Sequence, residues 1–144
     1  MKILIAVDDS PFSGGLLRAV VTQFRTGNTE VRILHVLQPI GPAPPQMAPG
    51  YAPELEEQKK PAHELVERIA KELHSAGFNV NTAVEVGDIR ETIIDSAAEW
   101  RADLIVVGSH GQRGMQRFLL GSVAEFVARH AKCSVEIVRT PAKV

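Results

Sequence analysis

The 144-residue sequence has little of several features that define whole classes of protein. Its one cysteine, Cys133, can form no internal disulfide and cannot build a metal site alone. No apolar run approaches the roughly 18–20 residues of a membrane-spanning helix, and the apolar start of the chain is interrupted at Asp8, too early for a signal peptide. We therefore expect a cytoplasmic protein that does not enter a membrane.

Excess charge and aromatic side chains are also scarce. The net charge is −1, from 16 Lys+Arg and 17 Asp+Glu, and aromatic residues make up only 5% of the chain. With 44% hydrophobic residues the chain is too apolar and too weakly charged to be disordered. The basic residues of the net positive segment 101–144 are dispersed, form no run and show little interleaving with aromatic residues, which argues against nucleic-acid binding. One compact domain over residues 1–144, stable without disulfides or structural metal, is expected.

Strand-like and helix-like segments alternate along the chain. Apolar runs at 3–7, 31–37, 104–107 and 135–138, and an alternating segment at 80–86, predict five strands, and apolar residues three to four apart predict the helices between them. Residues 39–53 hold six of the nine prolines and are expected to form a mobile loop. Helices placed between strands imply parallel, right-handed crossovers, so the predicted fold is a doubly wound α/β sheet.

The apolar patterns also predict the order of the strands. Strands buried on both faces are continuously apolar, whereas half-exposed edge strands alternate. The first and fourth strands are continuous, the third alternates, and Glu136 interrupts the last. The order 3-2-1-4-5 satisfies this pattern. It places a ligand crevice beyond the carboxyl ends of strands one and four, where the winding direction changes.

A glycine-rich segment follows the fourth strand at this crevice. Four of the eleven glycines fall within 108–121, and glycine lets main-chain N–H groups surround phosphate oxygens. Ser122 would begin the last helix, whose N-terminus favours an anion. Arg113 and Arg117 could close over the outer phosphates or remain solvated. Because the segment has neither Gly-Lys-Ser/Thr nor Gly-x-Gly-x-x-Gly, it is not a Walker loop or a dinucleotide fingerprint.

The spacing of these glycines resembles a known signature. Gly108-x2-Gly111-x9-Gly121-Ser122 is similar to the ATP-binding signature of the universal stress protein (UspA-like) family. The likeness covers essentially the whole chain, from the opening Ile-Leu-Ile-Ala-Val-Asp-Asp-Ser to the closing Val-Glu-Ile-Val-Arg. It implies an open parallel five-stranded sheet of the flavodoxin and adenine-nucleotide-hydrolase type, with helices on both faces.

The resemblance also implies a ligand and its site. Asp8, the acid after the first strand, would hold the ribose hydroxyls of ATP, and the main chain of Val36 would meet the adenine. The phosphates, with Mg²⁺ or Mn²⁺, would lie against the glycine-rich segment. No catalytic or metal-ligating side chain is assigned. The implied nucleotide-binding residues are Ala6, Val7, Asp8, Val36, Val107, Gly108, His110, Gly111, Arg113, Gly121, Ser122 and Val123.

Three functions are compatible with this fold. The first is an ATP-binding module for stress response or signalling. The second is a slow Mg-dependent ATP hydrolase, which needs an oriented water and charge stabilisation, for which only His110 and Arg113 are candidates. The third, a phosphoacceptor receiver domain, needs an aspartate at the end of the third strand and a lysine after the fifth. The chain has Val-Glu-Val-Gly at 84–87 and Arg-Thr at 139–140, so it is not a receiver.

The resemblance further implies a homodimer in which the last strands of two subunits pair edge to edge. An unpaired apolar edge invites another strand. Glu136 and Arg139 oppose this pairing, because charges on an edge can prevent it.

Other polar residues are expected to have structural roles. Asp9 and Ser10 are expected to cap the first helix. His130 is expected to pack in the core, and Cys133 to be a small packed residue. His63 and His74, which no third ligand accompanies, are expected on the surface.

Overall fold

The computed structural model describes residues 1–39, 53–110 and 120–139. In these ranges five strands alternate with four α-helices, and a short 3-10 turn (Thr26–Asn28) follows the first helix. The elements are β1 (Lys2–Ala6), α1 (Ser13–Gln23), β2 (Glu30–Leu37), α2 (Pro53–Ser75), β3 (Asn79–Val86), α3 (Ile89–Trp100), β4 (Leu104–Gly108), α4 (Ser122–His130) and β5 (Ser134–Val138). None of the described helices is both long and apolar enough to cross a bilayer.

The five strands form one parallel sheet in the order β3-β2-β1-β4-β5, which confirms the predicted order and the doubly wound α/β class. The central strands β1 and β4 are buried along most of their length, whereas β3 and β5 are partly exposed throughout. Continuous apolar runs therefore marked the centre of the sheet, as expected for strands covered on both faces.

Alternate side chains of the central strands enter two separate cores. In β1 and β2, odd-numbered residues such as Ile3 and Ile33 pack against α1 and α2, and even-numbered residues such as Leu4 and Leu34 pack against α3 and α4, whereas in β4 the parity is reversed. All four of these side chains are completely buried. The two cores hold the sheet rigidly and fix the positions of its carboxyl ends.

Helix α2 corrects the predicted boundary of the proline-rich loop. The sequence assigned Pro53 to the loop 39–53, but α2 begins at this residue. Proline is tolerated in the first turn of a helix because the N–H groups there have no intrahelical partner. Farther along α2, Leu55 and Ala62 are buried in a cluster with Leu37 at the end of β2. The rest of the predicted loop, 40–52, lies outside the described residues.

Candidate functional site

The carboxyl ends of β1, β2 and β4 lie at the edge of the sheet where the strand order predicts the ligand crevice, and this edge is called the crevice below. The last registered pairs are Ala6 with Leu34 and Ile5 with Val106. Continuing these registers places Asp8, Val36 and Ser109 at one level of the edge. Strand pairing therefore brings two predicted site residues, Asp8 and Val36, to the same edge as Ser109, which directly follows β4.

Asp8 lies in a turn that two serines hold. Its Oδ1 accepts a hydrogen bond from the N–H of Ser10 at 2.9 Å, and its main-chain oxygen accepts one from Oγ of Ser13, also at 2.9 Å. One bond orients the carboxylate and the other orients the peptide. The carboxylate is therefore fixed at the crevice before α1 begins.

The prediction that Asp9 and Ser10 cap the first helix is wrong. Helix α1 begins at Ser13, and the preceding residue, Phe12, has no side chain that could accept a hydrogen bond. Oγ of Ser10 accepts from the N–H of Phe12 at 3.3 Å. Ser10 therefore orders the turn between β1 and α1 rather than the helix terminus.

Strand β2 extends past the end of β1, so Val36 is registered with Glu85 of β3 but has no partner residue on β1. The ladder alternates, so even-numbered residues of β2 direct their N–H and C=O groups toward β1. Accordingly the N–H of Val7 donates to the oxygen of Leu34 at 2.9 Å. Among the described residues, none forms a hydrogen bond with the N–H or the C=O of Val36. A donor and an acceptor therefore stand side by side at the crevice.

The oxygen of Val7 is bonded to a side chain at the same point. Nδ1 of His35 lies 2.8 Å from it, and because a carbonyl oxygen only accepts, this nitrogen carries the proton and donates. Sequence reasoning gave no role to His35. The available signal was a polar residue near the carboxyl end of the strand, directly before the predicted adenine contact.

The end of β4 and the start of α4 are joined through Ser109. Its N–H donates to the oxygen of Val138 at 2.8 Å, and its own oxygen accepts from the N–H of Gly121 at 2.7 Å. Gly121 is the N-cap of α4 and is buried, and it has no side chain that could satisfy the N–H groups of Ser122 and Val123. The positive end of the α4 dipole therefore begins at the crevice, where an anion is favoured.

His110 is buried and locally hydrogen-bonded. It is 7% exposed, and its Nδ1 lies 3.1 Å from Oγ of Ser109. A hydrogen bond joins the two side chains, so the ring is held locally at the end of β4.

The structure places most of the predicted site residues at this edge. Val7 directly follows β1, and Ala6, Val107 and Gly108 are at or next to the carboxyl ends of β1 and β4. Gly111 and Arg113 lie outside the described residues, as does Arg117. Over residues 1–39, 53–110 and 120–139, no three His, Cys, Asp or Glu side chains cluster as metal ligands would.

The remaining candidates lie away from the crevice. His63 and His74 are exposed on α2, as expected. The prediction that His130 packs in the core is wrong, because it is exposed and its ring lies 4.2 Å from that of Phe126. Cys133 packs against the core as expected. Burial raises the pKa of its thiol, which disfavours the reactive thiolate.

Two surface cavities also lie away from the crevice. One, of about 600 Å³, is a groove between α2 and β3 lined by Arg68, Lys71 and His74 among others. The other, of about 240 Å³, is at the amino-terminal edge of the sheet beside Ala102 and Cys133. Neither includes a residue of the predicted site, so the interpretation of the crevice rests on its hydrogen bonds and strand ends.

The fold defines a class of protein: a doubly wound α/β domain whose winding direction changes between its two central strands, which is where such domains bind ligands. A family model described as the universal stress protein family matches residues 1–139. The chain belongs to the universal stress protein family.

Known proteins resemble the chain over nearly its whole length. Universal stress protein MJ0531 of Methanocaldococcus jannaschii is 31% identical over 99% of this chain and 84% of its own. The solved structure of MJ0577, from the same organism, has a TM-score of 0.80 at 28% identity, covering 99% of this chain and 97% of that one.

Two further solved structures contain nucleotides. A universal stress protein in complex with cAMP has a TM-score of 0.69 at 25% identity, covering 96% of both chains. The Archaeoglobus fulgidus protein in complex with dAMP has the same TM-score and identity, covering 96% of this chain and 97% of that one.

Proposed function

We propose that this universal stress protein binds ATP, with Mg²⁺ or Mn²⁺, in the crevice between β1 and β4. The bound nucleotide would alter the shape of the dimer or the binding of partners in a stress-response or signalling role. In this proposal residues 1–144 form one universal stress protein domain, and the site consists of the twelve residues named from the resemblance, including Gly111 and Arg113.

The observation that carries the proposal is the pair of main-chain groups at Val36. The N–H and C=O that β1 leaves without a partner present a donor beside an acceptor. Adenine presents the complementary pair, a ring-nitrogen acceptor beside an amino donor. A planar base that pairs with this strand end would continue the hydrogen bonding of the sheet.

The rest of the nucleotide matches the groups on either side. The Asp8 carboxylate, at the level of Val36, suits the ribose hydroxyls. The N–H groups of Ser122 and Val123 suit phosphate oxygens at the start of α4. Hydrogen bonds to charged groups contribute roughly 1.5–3 kcal/mol each. A few of them would support micromolar binding after the cost of association.

The solved relatives support the class of ligand. The two structures at 25% identity contain cAMP and dAMP, both adenine nucleotides. They share this fold at a TM-score of 0.69. An adenine nucleotide is therefore the ligand class to test first, and ATP is the member that the glycine-rich signature favours.

Calorimetric titration tests this function. We expect Mg-ATP to bind one site per chain with a micromolar Kd, and Mg-GTP to bind at least about tenfold more weakly. Guanine presents a donor where adenine presents an acceptor, which leaves the N–H of Val36 without a partner. Equal affinity for the two nucleotides, or no binding of either, would contradict the proposal.

A slow ATP hydrolase is the alternative function, and buried His110 at the end of β4 is the described group that favours it. A phosphate-release assay on the same Mg-ATP mixture separates the two. Turnover above about 1 s⁻¹ lies in the ordinary enzyme range and would make hydrolysis the function of the protein, whereas slower Mg-dependent turnover would be incidental to binding. We expect turnover well below it.

We also propose a homodimer through β5. This strand lies at the edge of the sheet. The oxygen of Val138 accepts from Ser109, so even-numbered residues of β5 face β4 and the N–H groups of Val135 and Ile137 face outward. These outward groups are available to a second copy of the strand.

The substitution Val135→Pro is expected to make the dimer dissociate, because proline removes one outward N–H without removing a bond to β4. The control Val135→Ala also removes the valine side chain but keeps the N–H. Light scattering should give twice the chain mass of 15.7 kDa for the wild type and the alanine variant, and 15.7 kDa for the proline variant. A monomeric wild-type protein would rule out this dimer.

A further inference from the structure

We propose that His35 is a positioning residue. Its imidazole donates a hydrogen bond to the oxygen of Val7 and thereby leaves the N–H and C=O of Val36 available to a base. The contact between His35 and Val7 is a feature of the protein itself, whereas the identity of the base rests on the proposed function. His35 would thereby affect ligand selectivity although it is not one of the twelve residues proposed to bind the nucleotide.

The contact of His35 replaces a hydrogen bond of the ladder between β1 and β2. In a regular parallel ladder, a residue whose N–H donates to one position of the neighbouring strand accepts from the position two residues further on. The N–H of Val7 donates to Leu34 at 2.9 Å, so its oxygen would accept from the N–H of Val36. It accepts from Nδ1 of His35 at 2.8 Å instead.

The ring of His35 and the N–H of Val36 approach the oxygen of Val7 from different directions. Odd-numbered side chains of β2, such as Ile33, point to the face covered by α1 and α2. His35 shares this parity, so its ring approaches Val7 from that face, while the N–H of Val36 lies in the plane of the sheet. A carbonyl accepts best near its own plane. Turning the oxygen of Val7 toward the imidazole therefore turns it away from Val36.

A bound base would supply the hydrogen-bond partner that the main chain of Val36 lacks on β1. Val36 is only 7% exposed, and buried main-chain N–H groups are nearly always paired in folded proteins. An opened ladder is therefore unfavourable unless something else pairs with it. A bound base with an acceptor beside a donor would do so, and His35 prevents β1 from closing the ladder first.

A matched pair of variants separates the hydrogen bond from the shape of the side chain. Asparagine carries an N–H donor at the same number of bonds from the main chain as Nδ1 of histidine, and leucine has nearly the shape of asparagine without any donor. We expect His35→Asn to behave as the wild type and His35→Leu to close the ladder. His74→Leu, on the exposed face of α2, controls for the loss of a histidine.

The decisive measurement needs no ligand. NMR coupling across a hydrogen bond reports whether the N–H of Val36 donates to the carbonyl of Val7. We expect no such coupling in the wild type, in His35→Asn or in His74→Leu, and a clear one in His35→Leu. Coupling in the wild type, or its absence in a folded His35→Leu, would overturn the proposal. If His35→Leu does not fold, His35→Ala replaces it, and coupling in the wild-type spectrum would overturn the proposal without any variant.

Nucleotide affinities test whether the hydrogen bond between His35 and Val7 affects recognition of the base. The wild type should bind AMP about five- to tenfold more tightly than 1-deaza-AMP, which lacks the ring nitrogen that would accept from Val36. His35→Leu should bind both nucleotides with nearly the same affinity, and His35→Asn should restore the difference. Equal weakening of both by His35→Leu would mean that His35 is merely structural. If the wild type binds no AMP, the proposed function fails, while the ligand-free coupling still decides the role of His35.

Discussion

Replacing Gly121 with valine is expected to lower the affinity for Mg-ATP by at least about a hundredfold while the protein remains folded. Gly121 is the buried N-cap of α4, beside the N–H groups proposed to hold the phosphates. A branched side chain there would occupy the space of the phosphate oxygens. The main chain at Gly121 has φ −64° and ψ 158°, an extended conformation that valine adopts readily, so the substitution adds no backbone strain. Calorimetry gives the affinity, and circular dichroism gives the fold.

Gly27→Val is the matched control for this substitution. Gly27 lies in the 3-10 turn before β2, at the opposite end of the sheet, and an added Cβ would meet no atom within 4 Å. This variant should bind Mg-ATP as tightly as the wild type. Unchanged affinity in a folded Gly121→Val variant would remove the start of α4 from the site.

The substitution Asp8→Asn is expected to lower the affinity for ATP about ten- to a hundredfold, the value of one charge-assisted hydrogen bond. Asparagine keeps an oxygen that can accept from the N–H of Ser10, so the turn after β1 should persist. What it loses is the negative charge that would hold the ribose hydroxyls. Calorimetry with ATP and with 2′,3′-dideoxy-ATP measures this loss directly.

The two nucleotides separate a role at the ribose from a general effect of charge. The wild type should prefer ATP over the dideoxy analogue, and Asp8→Asn should lose most of that preference. Asp9→Asn removes a neighbouring exposed charge and should keep it. If Asp8→Asn weakened both nucleotides equally, the carboxylate would not contact the ribose hydroxyls.

The topology could be predicted from the sequence because burial leaves a simple pattern in a doubly wound sheet. Ile3, Ile5, Ile105 and Val106 are completely inaccessible, and a strand covered on both faces has no position for a polar residue. The partly exposed strands β3 and β5 carry alternating polar residues. Sheet order followed from this contrast, and the location of the crevice followed from sheet order.

The first half of α2 could not be predicted in the same way. It is rich in charged residues and contains Pro61, which normally disfavours a helix interior. Its apolar anchors are few, and Leu55 is buried because Leu37 and Ala62 lie beside it. That contact joins distant parts of the chain and leaves no local periodicity.

The candidate site could be predicted where it depends on the ends of single strands, and not where it depends on the different lengths of two neighbouring strands. Asp8 and Gly121 follow from their places after β1 and before α4. Among the described residues the main chain of Val36 has no hydrogen-bond partner because β1 ends before β2 does, and Nδ1 of His35 reaches the oxygen of Val7 beside it. Neither event has a signature in residue spacing. For His130, spacing from Phe126 and Val127 did not distinguish the buried face of α4 from its exposed boundary.

The central claim is that an adenine nucleotide binds where β1, β2 and β4 end. An NMR titration of the ¹⁵N-labelled protein with Mg-ATP tests it most directly. The account predicts that the largest amide shifts among the described residues fall on Val36, on the turn after Asp8, and on residues 121–123. Shifts confined to the groove between α2 and β3 or to the amino-terminal edge of the sheet, or no shifts at millimolar nucleotide, would contradict it.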